Sequence, residues 1–218
     1  MQFQTCHSPD KPLGIYPLVD RAEKLKPLFD AGITTAQIRV KDLDGQSLEN
    51  ELAQADRLAK SYQARLFIND FWEMALYLNS YGVHLGQEDV LQANLSALHQ
   101  AGIRLGISTH TPEEIDSALT IQPSYIAIGP IFETQSKQLS YLTTGLINLQ
   151  HWVETLNVPV VAIGGIQRHN LTDVIQAGAN GIAMINGLNL PGYTTMESAQ
   201  KLIDTFNEAY QTRALPYV

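Results

Sequence analysis

Cysteine and positive charge are both scarce in this sequence. Cys6 is the one cysteine among 218 residues, which excludes a disulfide framework and a cysteine-based zinc motif. Lys and Arg total 14 against 22 Asp and Glu, giving a net charge of −8. Because nucleic-acid binding usually needs a basic surface, we expect no nucleic-acid partner. Any cluster of cations in this chain must therefore be local.

Long apolar runs are also missing. No run approaches the ~18 residues of a membrane span, and the opening MQFQTCHSPDK lacks the charged-then-apolar pattern of a secretory signal. These absences predict a soluble, cytoplasmic protein with no membrane partner. Linkers, charge blocks and low-complexity segments are absent too, so we expect one domain over residues 1–218, with tails at 1–12 and 213–218.

What the sequence does contain is a regular alternation of short apolar runs and longer amphipathic stretches. It predicts strands at 14–19, 35–40, 64–68, 82–85, 103–107, 124–129, 158–163 and 181–185. Candidate helices lie at 21–31, 46–62, 72–79, 90–101, 112–120, 145–156, 168–178 and 194–212. This alternation predicts an α/β fold, a single (β/α)₈ TIM barrel. The alternative is an open doubly wound sheet, but the glycine-rich fingerprint expected after its first strand is missing from GIYPLVDRAEK.

The stretch AQIRVK, residues 36–41, places polar and apolar side chains on opposite faces of the second strand. Ile38 and Val40 suit the outer face of a barrel, which helices cover. Gln37, Arg39 and Lys41 then point inward, and Lys41 reaches the mouth at the carboxyl end of the strand. Interior cations without counter-charges would cost several kcal/mol, so we expect an anionic ligand to meet them.

Two aspartates follow neighbouring strands. Asp70 ends FIND after the third strand, and Asp89 lies in HLGQED after the fourth. Mg²⁺ typically takes one or two carboxylates and completes its shell with water and substrate phosphate, so the pair predicts a magnesium site. The alternative for each aspartate is that it caps the next helix.

Polar residues also follow the fifth and sixth strands. Ser108, Thr109 and His110 bring hydroxyls and an imidazole to the rim. His110 is either a base or a hydrogen-bonding wall of the pocket. Thr134, Ser136 and Lys137 form an anion-binding set in a long loop, which is either a lid or a solvated surface turn.

Glycines follow the last two strands, in AIGGI and MINGLN. In this fold the seventh and eighth loops frequently bind phosphate through backbone N–H groups, here at Gly165, Ile185 and Asn186. The sequence therefore predicts a cationic, metal-assisted centre for a pyrophosphate and a second centre for a monophosphate. Two phosphorylated ligands in one barrel mouth indicate transfer between them.

Six motifs, spread over residues 14 to 187, resemble those of the thiamine phosphate synthase family: QIRVK, FINDFWEMA, YGVHLGQED, GISTHTPEE, YIAIGPIFETQSK and VVAIGGI. The resemblance implies a Mg²⁺-dependent barrel transferase. It would condense 4-amino-2-methyl-5-(diphosphooxymethyl)pyrimidine with 4-methyl-5-(2-phosphooxyethyl)thiazole, giving thiamine phosphate and pyrophosphate.

The resemblance also implies roles for individual residues. The pyrimidine diphosphate would be bound by Gln37, Ile38, Arg39, Val40, Lys41, Asn69, Ser108 and Lys137, of which Arg39, Lys41, Ser108 and Lys137 would be catalytic. The thiazole phosphate would be bound by Thr134, Gln135, Ser136, Gly165, Ile185 and Asn186. One Mg²⁺ per active site would be held by Asp70 and Asp89.

Two residues depart from the family pattern. Asn186 stands where the family usually has a small Ser–Ala pair, and Ser136 replaces a threonine. Two alternative functions follow: a thiazole tautomerase, which shares the barrel and needs proton-transfer groups but no metal, and a non-catalytic protein that binds thiamine phosphates. The sequence allows a homodimer without indicating one.

Overall fold

The chain folds into a closed barrel of parallel strands. The computed structural model describes residues 2–8, 11–134 and 142–213. Within them, eight strands pair in sequence order, and β8 pairs with β1 to close the cylinder. The strands are β1 Gly14–Val19, β2 Thr35–Ile38, β3 Arg65–Asn69, β4 Gly82–Leu85, β5 Arg104–Thr109, β6 Tyr125–Ile128, β7 Val160–Ile163 and β8 Gly181–Met184. The predicted TIM barrel is confirmed.

The second strand is shorter than the sequence predicts. It ends at Ile38, so Arg39 and Lys41 belong to the loop that follows it and not to the strand. The backbone still runs beside β1, since the Arg39 N–H donates to the Val19 carbonyl at 2.7 Å. The side chains consequently lie just above the strand ends, where they face the mouth and not the packed interior.

Helices cover the outside of the barrel. They are α1 Leu25–Asp30, α2 Gly45–Ser61, α3 Trp72–Tyr77, α4 Gln87–Gln92, α5 Leu95–Gln100, α6 Pro112–Ile121, α7 Gly145–Thr155, α8 Leu171–Gln176 and α9 Thr195–Thr212, with 3₁₀ turns at Ala22–Lys24 and Asn186–Leu188. The single helix predicted at 90–101 is wrong. Asn94 breaks it and caps the next helix, accepting a hydrogen bond from the Ala97 N–H at 3.0 Å.

Two apolar layers hold the fold together. The outer layer lies between the strands and the helices and contains the side chains of Ile38 and Val40. The inner layer fills the cylinder and is built around three aromatic rings, those of Tyr16, Phe67 and Tyr125. The alternation predicted for the second strand is therefore correct, because Gln37 faces inward while its neighbours face outward.

Glycines on neighbouring strands make room for the inner rings. A Cβ atom at Gly106 would lie 2.2 Å from Cζ of Tyr125, and one at Gly82 would lie 2.5 Å from Cε1 of Phe67. Only a residue without a side chain fits at either position, since real Cβ atoms do not approach other atoms so closely. The interior is thus filled by large aromatic rings that pack against glycines, where the neighbouring strand has no side chain.

The segment before β1 packs against the lower end of the barrel. Phe3 and Cys6 are buried there. The Arg65 guanidinium donates hydrogen bonds to the carbonyl oxygens of Cys6 at 3.0 Å and Pro12 at 2.6 Å. These contacts cover the amino ends of the strands. No helix within the described ranges is long and apolar enough to cross a membrane.

Candidate active site

A cavity of about 810 Å³ opens at the carboxyl ends of the strands. It is lined by most of the residues that the sequence singles out: Gln37, Arg39, Lys41, Asn69, Asp70, Asp89, Ser108, His110, Thr134, Gly165, Ile185 and Asn186. Residues from seven of the eight strands or their following loops thus meet in one place. Gln135, Ser136 and Lys137, also predicted for this site, lie outside the described residues.

Three of the residues singled out do not present side chains to this cavity. Ile38 and Val40 lie in the outer apolar layer, so only their backbone atoms could contact a ligand. Thr109 was expected at the rim but is part of β5, where it is buried and its hydroxyl donates to the Ala127 carbonyl at 3.1 Å. Of the two hydroxyls at this strand end, only Ser108 serves the cavity.

The two aspartates meet at the mouth. Burial raises the pKa of Asp89, and the neighbouring Asp70 raises it further through its charge and a hydrogen bond between the two side chains. Lys41 opposes this effect with its positive charge and forms an ion pair with Asp70. Two carboxylates that repel each other in this way are suited to share a cation.

Helix capping explains one of these aspartates only in part. Asp89 accepts a hydrogen bond from the Gly86 N–H at 3.3 Å through Oδ2, as a residue in the first turn of α4 can. Asp70 caps nothing: α3 begins after Phe71 without a side-chain cap. Instead, Asp70 has φ of 65°, a strained conformation for a residue with a side chain.

The donor set at this place fits a hard cation. No group of three or more His, Cys, Asp or Glu side chains suited to a metal occurs in the described part of the chain. A site with two carboxylates and no sulfur or imidazole ligand matches Mg²⁺, which keeps several waters and takes further oxygens from phosphate. It does not match a structural zinc site.

Arg39 supplies a positive charge that none of the described residues neutralises. Its side chain lines the cavity, and no ion pair or hydrogen bond of its guanidinium occurs among the described residues. A guanidinium carries five donors in a fork that matches phosphate oxygens. This arrangement fits a polyanionic ligand.

The floor of the cavity is a chain of hydrogen-bonded polar side chains. Gln37 lies 3.4 Å from the Tyr16 hydroxyl, which lies 2.9 Å from that of Tyr125. Nδ1 of His84 is 2.7 Å from the Tyr125 hydroxyl, and its Nε2 is 2.8 Å from the Ser108 hydroxyl. Burial lowers the pKa of His84 to about 4, so the imidazole is neutral.

Tyr16 and Tyr125 were missed by the sequence analysis. Each lies within a strand, where tyrosine is a common residue for its packing alone. The strand alternation that places Gln37 inward could have identified them as interior residues. Their pairing could not be found in this way, because they are 109 residues apart in the chain.

Two atoms at this floor have unused hydrogen-bonding capacity. Oε1 of Gln37 and Nδ2 of Asn69 are buried, and neither has a hydrogen-bond partner in the described ranges. A buried polar atom without a partner costs about 1–3 kcal/mol. An acceptor and a donor held in the cavity wall at this cost are suited to binding a ligand.

His110 is fixed by a residue of the helix that follows it. Its Nδ1 lies 2.9 Å from Oε2 of Glu114, and the same oxygen accepts from the His110 N–H at 2.6 Å. The imidazole is thus held at the cavity wall beside a carboxylate. Both roles expected for His110, a base and a hydrogen-bonding wall of the pocket, stay predictions.

The loops after β7 and β8 depend on glycine. Gly164 and Gly165 have φ of 98° and 66°, and a Cβ atom at Gly165 would lie 2.5 Å from the Glu133 carbonyl oxygen. Beside them, after the neighbouring strand, Ile185 precedes the 3₁₀ turn that begins at Asn186. Both loops line the cavity, so they can bring backbone N–H groups close to an anion.

Comparison with known proteins gives a consistent family. A family model described as "Thiamine monophosphate synthase" matches residues 16–188. The thiamine-phosphate synthase of Yersinia pestis (strain Pestoides F) is 44% identical over 196 residues, which cover 89% of this chain and 91% of that protein. That of Serratia proteamaculans (strain 568) is 45% identical over 177 residues, covering 81% and 84%. Among solved structures, thiamine phosphate pyrophosphorylase from Pyrococcus furiosus has a TM-score of 0.79 at 27% identity, covering 90% of this chain and 96% of that one. This chain therefore belongs to the thiamine monophosphate synthase family.

Proposed function

We propose that the protein is a Mg²⁺-dependent thiamine-phosphate synthase. The thiazole nitrogen forms a bond to the exocyclic methylene carbon of the pyrimidine. The bond from that carbon to the diphosphate oxygen breaks, and pyrophosphate leaves with the electron pair. The observation that carries the proposal is the convergence on one cavity of three features: a guanidinium with no ion pair among the described residues, a carboxylate pair and a glycine-lined loop pair.

The pyrimidine diphosphate binds along the second, third and fifth strands. Gln37 and Asn69 offer the two buried atoms that lack partners, an acceptor and a donor respectively. Arg39 and Lys41 attract the diphosphate, and Ser108 hydrogen bonds to it. The predicted Lys137 is part of the same proposal and would contribute a further cation from the loop after β6.

Asp70 and Asp89 hold the Mg²⁺ in this proposal. When bound, the ion neutralises charge on the diphosphate as it departs. The carboxylate pair supports this assignment because its mutual repulsion is relieved by a divalent cation. Lys41, which is paired with Asp70, lies where it can contact both the carboxylate and the diphosphate.

The thiazole phosphate binds on the opposite side of the cavity. Gly165, Ile185 and Asn186 bring backbone to that wall, and Thr134 adds a hydroxyl. Gln135 and Ser136 are proposed to complete this site. Anchoring the phosphate there would hold the thiazole nitrogen near the methylene carbon, and positioning of this kind can supply several kcal/mol of the barrier.

Leaving-group stabilisation is the main task of the protein groups in this reaction. The pyrimidine ring can support a carbenium ion at its methylene carbon, so bond breaking can precede attack. Arg39 and Lys41 bind more strongly as charge accumulates on the departing pyrophosphate. The thiazole nitrogen carries a lone pair and needs no general base. A catalytic triad is accordingly unnecessary.

The test is to mix both substrates with Mg²⁺ and to measure pyrophosphate and thiamine phosphate. We expect both products in equal amounts, and neither when Mg²⁺ is replaced by a chelator. Tight binding of the substrates without release would favour the non-catalytic binding protein. Isomerisation of a thiazole substrate without a metal would favour the tautomerase.

A further inference from the structure

The floor of the cavity is an uninterrupted series of five polar side chains. In order they are Gln37, Tyr16, Tyr125, His84 and Ser108, and successive polar atoms are 3.4, 2.9, 2.7 and 2.8 Å apart. The two tyrosines and the histidine are almost wholly buried. The two ends, Gln37 and Ser108, lie at different places on the cavity wall.

Each member of the series has a limited set of donors, which gives the series a direction. The amide nitrogen of Gln37 can only donate, so the Tyr16 hydroxyl accepts from it and donates to Tyr125. Tyr125 then donates to Nδ1 of His84. A neutral imidazole with an acceptor at Nδ1 carries its proton on Nε2, which donates to the Ser108 oxygen.

The direction determines what the two ends present to a ligand. At one end, Oε1 of Gln37 is left as an acceptor without a partner in the described chain. At the other end, the Ser108 oxygen already accepts from His84, so the hydroxyl proton of Ser108 is available for donation. The reverse direction would present an amide donor at Gln37 and a hydroxyl oxygen at Ser108.

We propose that Tyr16, Tyr125 and His84 are positioning residues that set this direction, and that they thereby select an amino-substituted pyrimidine that carries a diphosphate. Building on the function proposed above, the Gln37 acceptor matches the amino group of the pyrimidine. The Ser108 donor matches an oxygen of the diphosphate. With the direction reversed, the Gln37 amide N–H would face the amino group of the pyrimidine, a donor against a donor. The Ser108 oxygen would face an oxygen of the diphosphate, an acceptor against an acceptor.

The experiment compares two substrates in four proteins. The substrates are the 4-amino pyrimidine diphosphate and its 4-oxo analogue, in which an acceptor replaces the amino donor. The proteins are the wild type, Tyr16→Phe, Tyr125→Phe and Phe67→Leu, and the measured quantity is the ratio of kcat/KM for the amino substrate to that for the oxo analogue. The difference in intrinsic reactivity between the substrates cancels when ratios are compared across proteins.

We expect this ratio to fall at least tenfold in each tyrosine variant. Without a tyrosine hydroxyl, the Gln37 amide can turn over and donate to the oxo group. Phe67→Leu is the matched control, because the Phe67 ring packs against both tyrosines, with centroid distances of 5.8 and 5.1 Å, but has no polar atom. It should lower stability and leave the ratio as in the wild type.

An unchanged ratio in both tyrosine variants would overturn the proposal, as would an equal fall in Phe67→Leu. Failure of the wild type to release pyrophosphate from the amino substrate would overturn the proposed function instead.

A second measurement needs no variant. In ¹⁵N-histidine-labelled wild-type protein, the nitrogen chemical shifts of His84 should show a proton on Nε2 and none on Nδ1. A proton on Nδ1 would reverse the direction of the series and overturn the proposal. The signal can be assigned to His84 by its loss in His84→Gln.

Discussion

Lys41 and Asp70 form an ion pair although they come from different loops, one after β2 and the other after β3. The same carboxylate contacts Asp89, from the loop after β4. Asp70 is thus held between a cation and a second carboxylate, with a backbone φ of 65°. Asp70 therefore contacts both parts of the proposed site: Asp89, its partner in the proposed metal site, and Lys41, which is proposed to bind the diphosphate.

The carboxylate pair gives the first prediction. Asp70→Asn and Asp89→Asn each remove one of the two proposed metal ligands. We expect pyrophosphate release at fixed Mg²⁺ to fall about 100-fold or more, since removing a charged partner commonly costs about 3 kcal/mol. The Mg²⁺ concentration that gives half-maximal rate should rise in both variants. Steady-state assays over a range of Mg²⁺ concentrations measure both effects.

Asp116→Asn is the matched control for these two variants. Asp116 lies on the exposed face of α6, so the same chemical change there should leave the Mg²⁺ dependence unaltered. Wild-type turnover in both Asp70→Asn and Asp89→Asn would show that the metal assignment is wrong.

Arg39 gives the second prediction. Arg39→Gln removes the guanidinium that has no ion pair in the described chain, and we expect kcat/KM for the pyrimidine diphosphate to fall about 10- to 100-fold, the equivalent of a charged hydrogen bond worth about 1.5–3 kcal/mol. The KM for the thiazole phosphate should change little. Because the guanidinium has no ion pair or hydrogen bond among the described residues, the variant should unfold at about the same temperature as the wild type. Arg57→Gln, on the exposed face of α2, is the control and should alter neither quantity.

The loop after β7 gives the third prediction. Gly165→Ala places a Cβ atom 2.5 Å from the Glu133 carbonyl oxygen at φ of 66°, whereas Gly192→Ala meets no atom within 4 Å at φ of 81°. Both variants carry the conformational cost of a positive φ, about 1–2 kcal/mol. We expect Gly165→Ala to lose more stability in urea unfolding and to raise the KM for the thiazole phosphate. An unchanged KM would remove Gly165 from the proposed phosphate site.

His7 gives the fourth prediction, on stability against pH. Burial, followed by the charges of Arg213 and Arg65, lowers the pKa of His7 from 6.5 to about 4. Between these values the unfolded chain binds a proton that the folded protein does not, so stability must fall as the pH falls from 6.5 to about 4. The folded imidazole is near the Asn180 amide, 3.3 Å from Nε2, and no carboxylate of the described residues contributes to its pKa.

Thermal unfolding at several pH values tests this prediction. His7→Gln cannot take up the proton, so its melting temperature should fall less than that of the wild type over this range, by a few degrees. His151→Gln, on the exposed face of α7, is the control and should behave like the wild type. Parallel curves for all three proteins would contradict the prediction. His84, with its pKa also near 4, contributes a similar slope that all three share.

The local sequence pattern was sufficient to predict most of the strands and helices. The first and fourth strands begin and end where the sequence predicts, and the residue after each, Asp20 and Gly86, is of a type that favours a turn. The helix expected at 90–101 failed because apolar periodicity continues across Asn94, whose capping role outweighs it. The inward direction of Gln37 and the outward direction of Ile38 were also predictable, since alternation along a strand requires no knowledge of distant residues. Arg39 and Lys41 lie beyond the end of the strand, so the same rule did not determine their surroundings.

Residues of the candidate site could be predicted from the sequence only where the position along a strand determines which way the side chain points. Asp70 and Asp89 could be paired from the order of the strands, since adjacent strand ends are adjacent in space. The hydrogen bonds of Tyr16 and Tyr125 depend on closure of the barrel, which brings β1 beside β8 and leaves β6 across the interior. Such contacts depend on the diameter of the cylinder and on the rings that fill it.

Gly106 constrains the chemistry of the pocket without touching a ligand. The Tyr125 ring fills the space that this glycine leaves on the neighbouring strand, so position 106 cannot gain a side chain while the ring is there. A larger residue at 106 would require a smaller one at 125, and the hydroxyl between Tyr16 and His84 would be lost with the ring. Any substitution at Gly106 would therefore alter the hydrogen-bonded floor of the cavity, although a survey of ligand contacts would overlook this position.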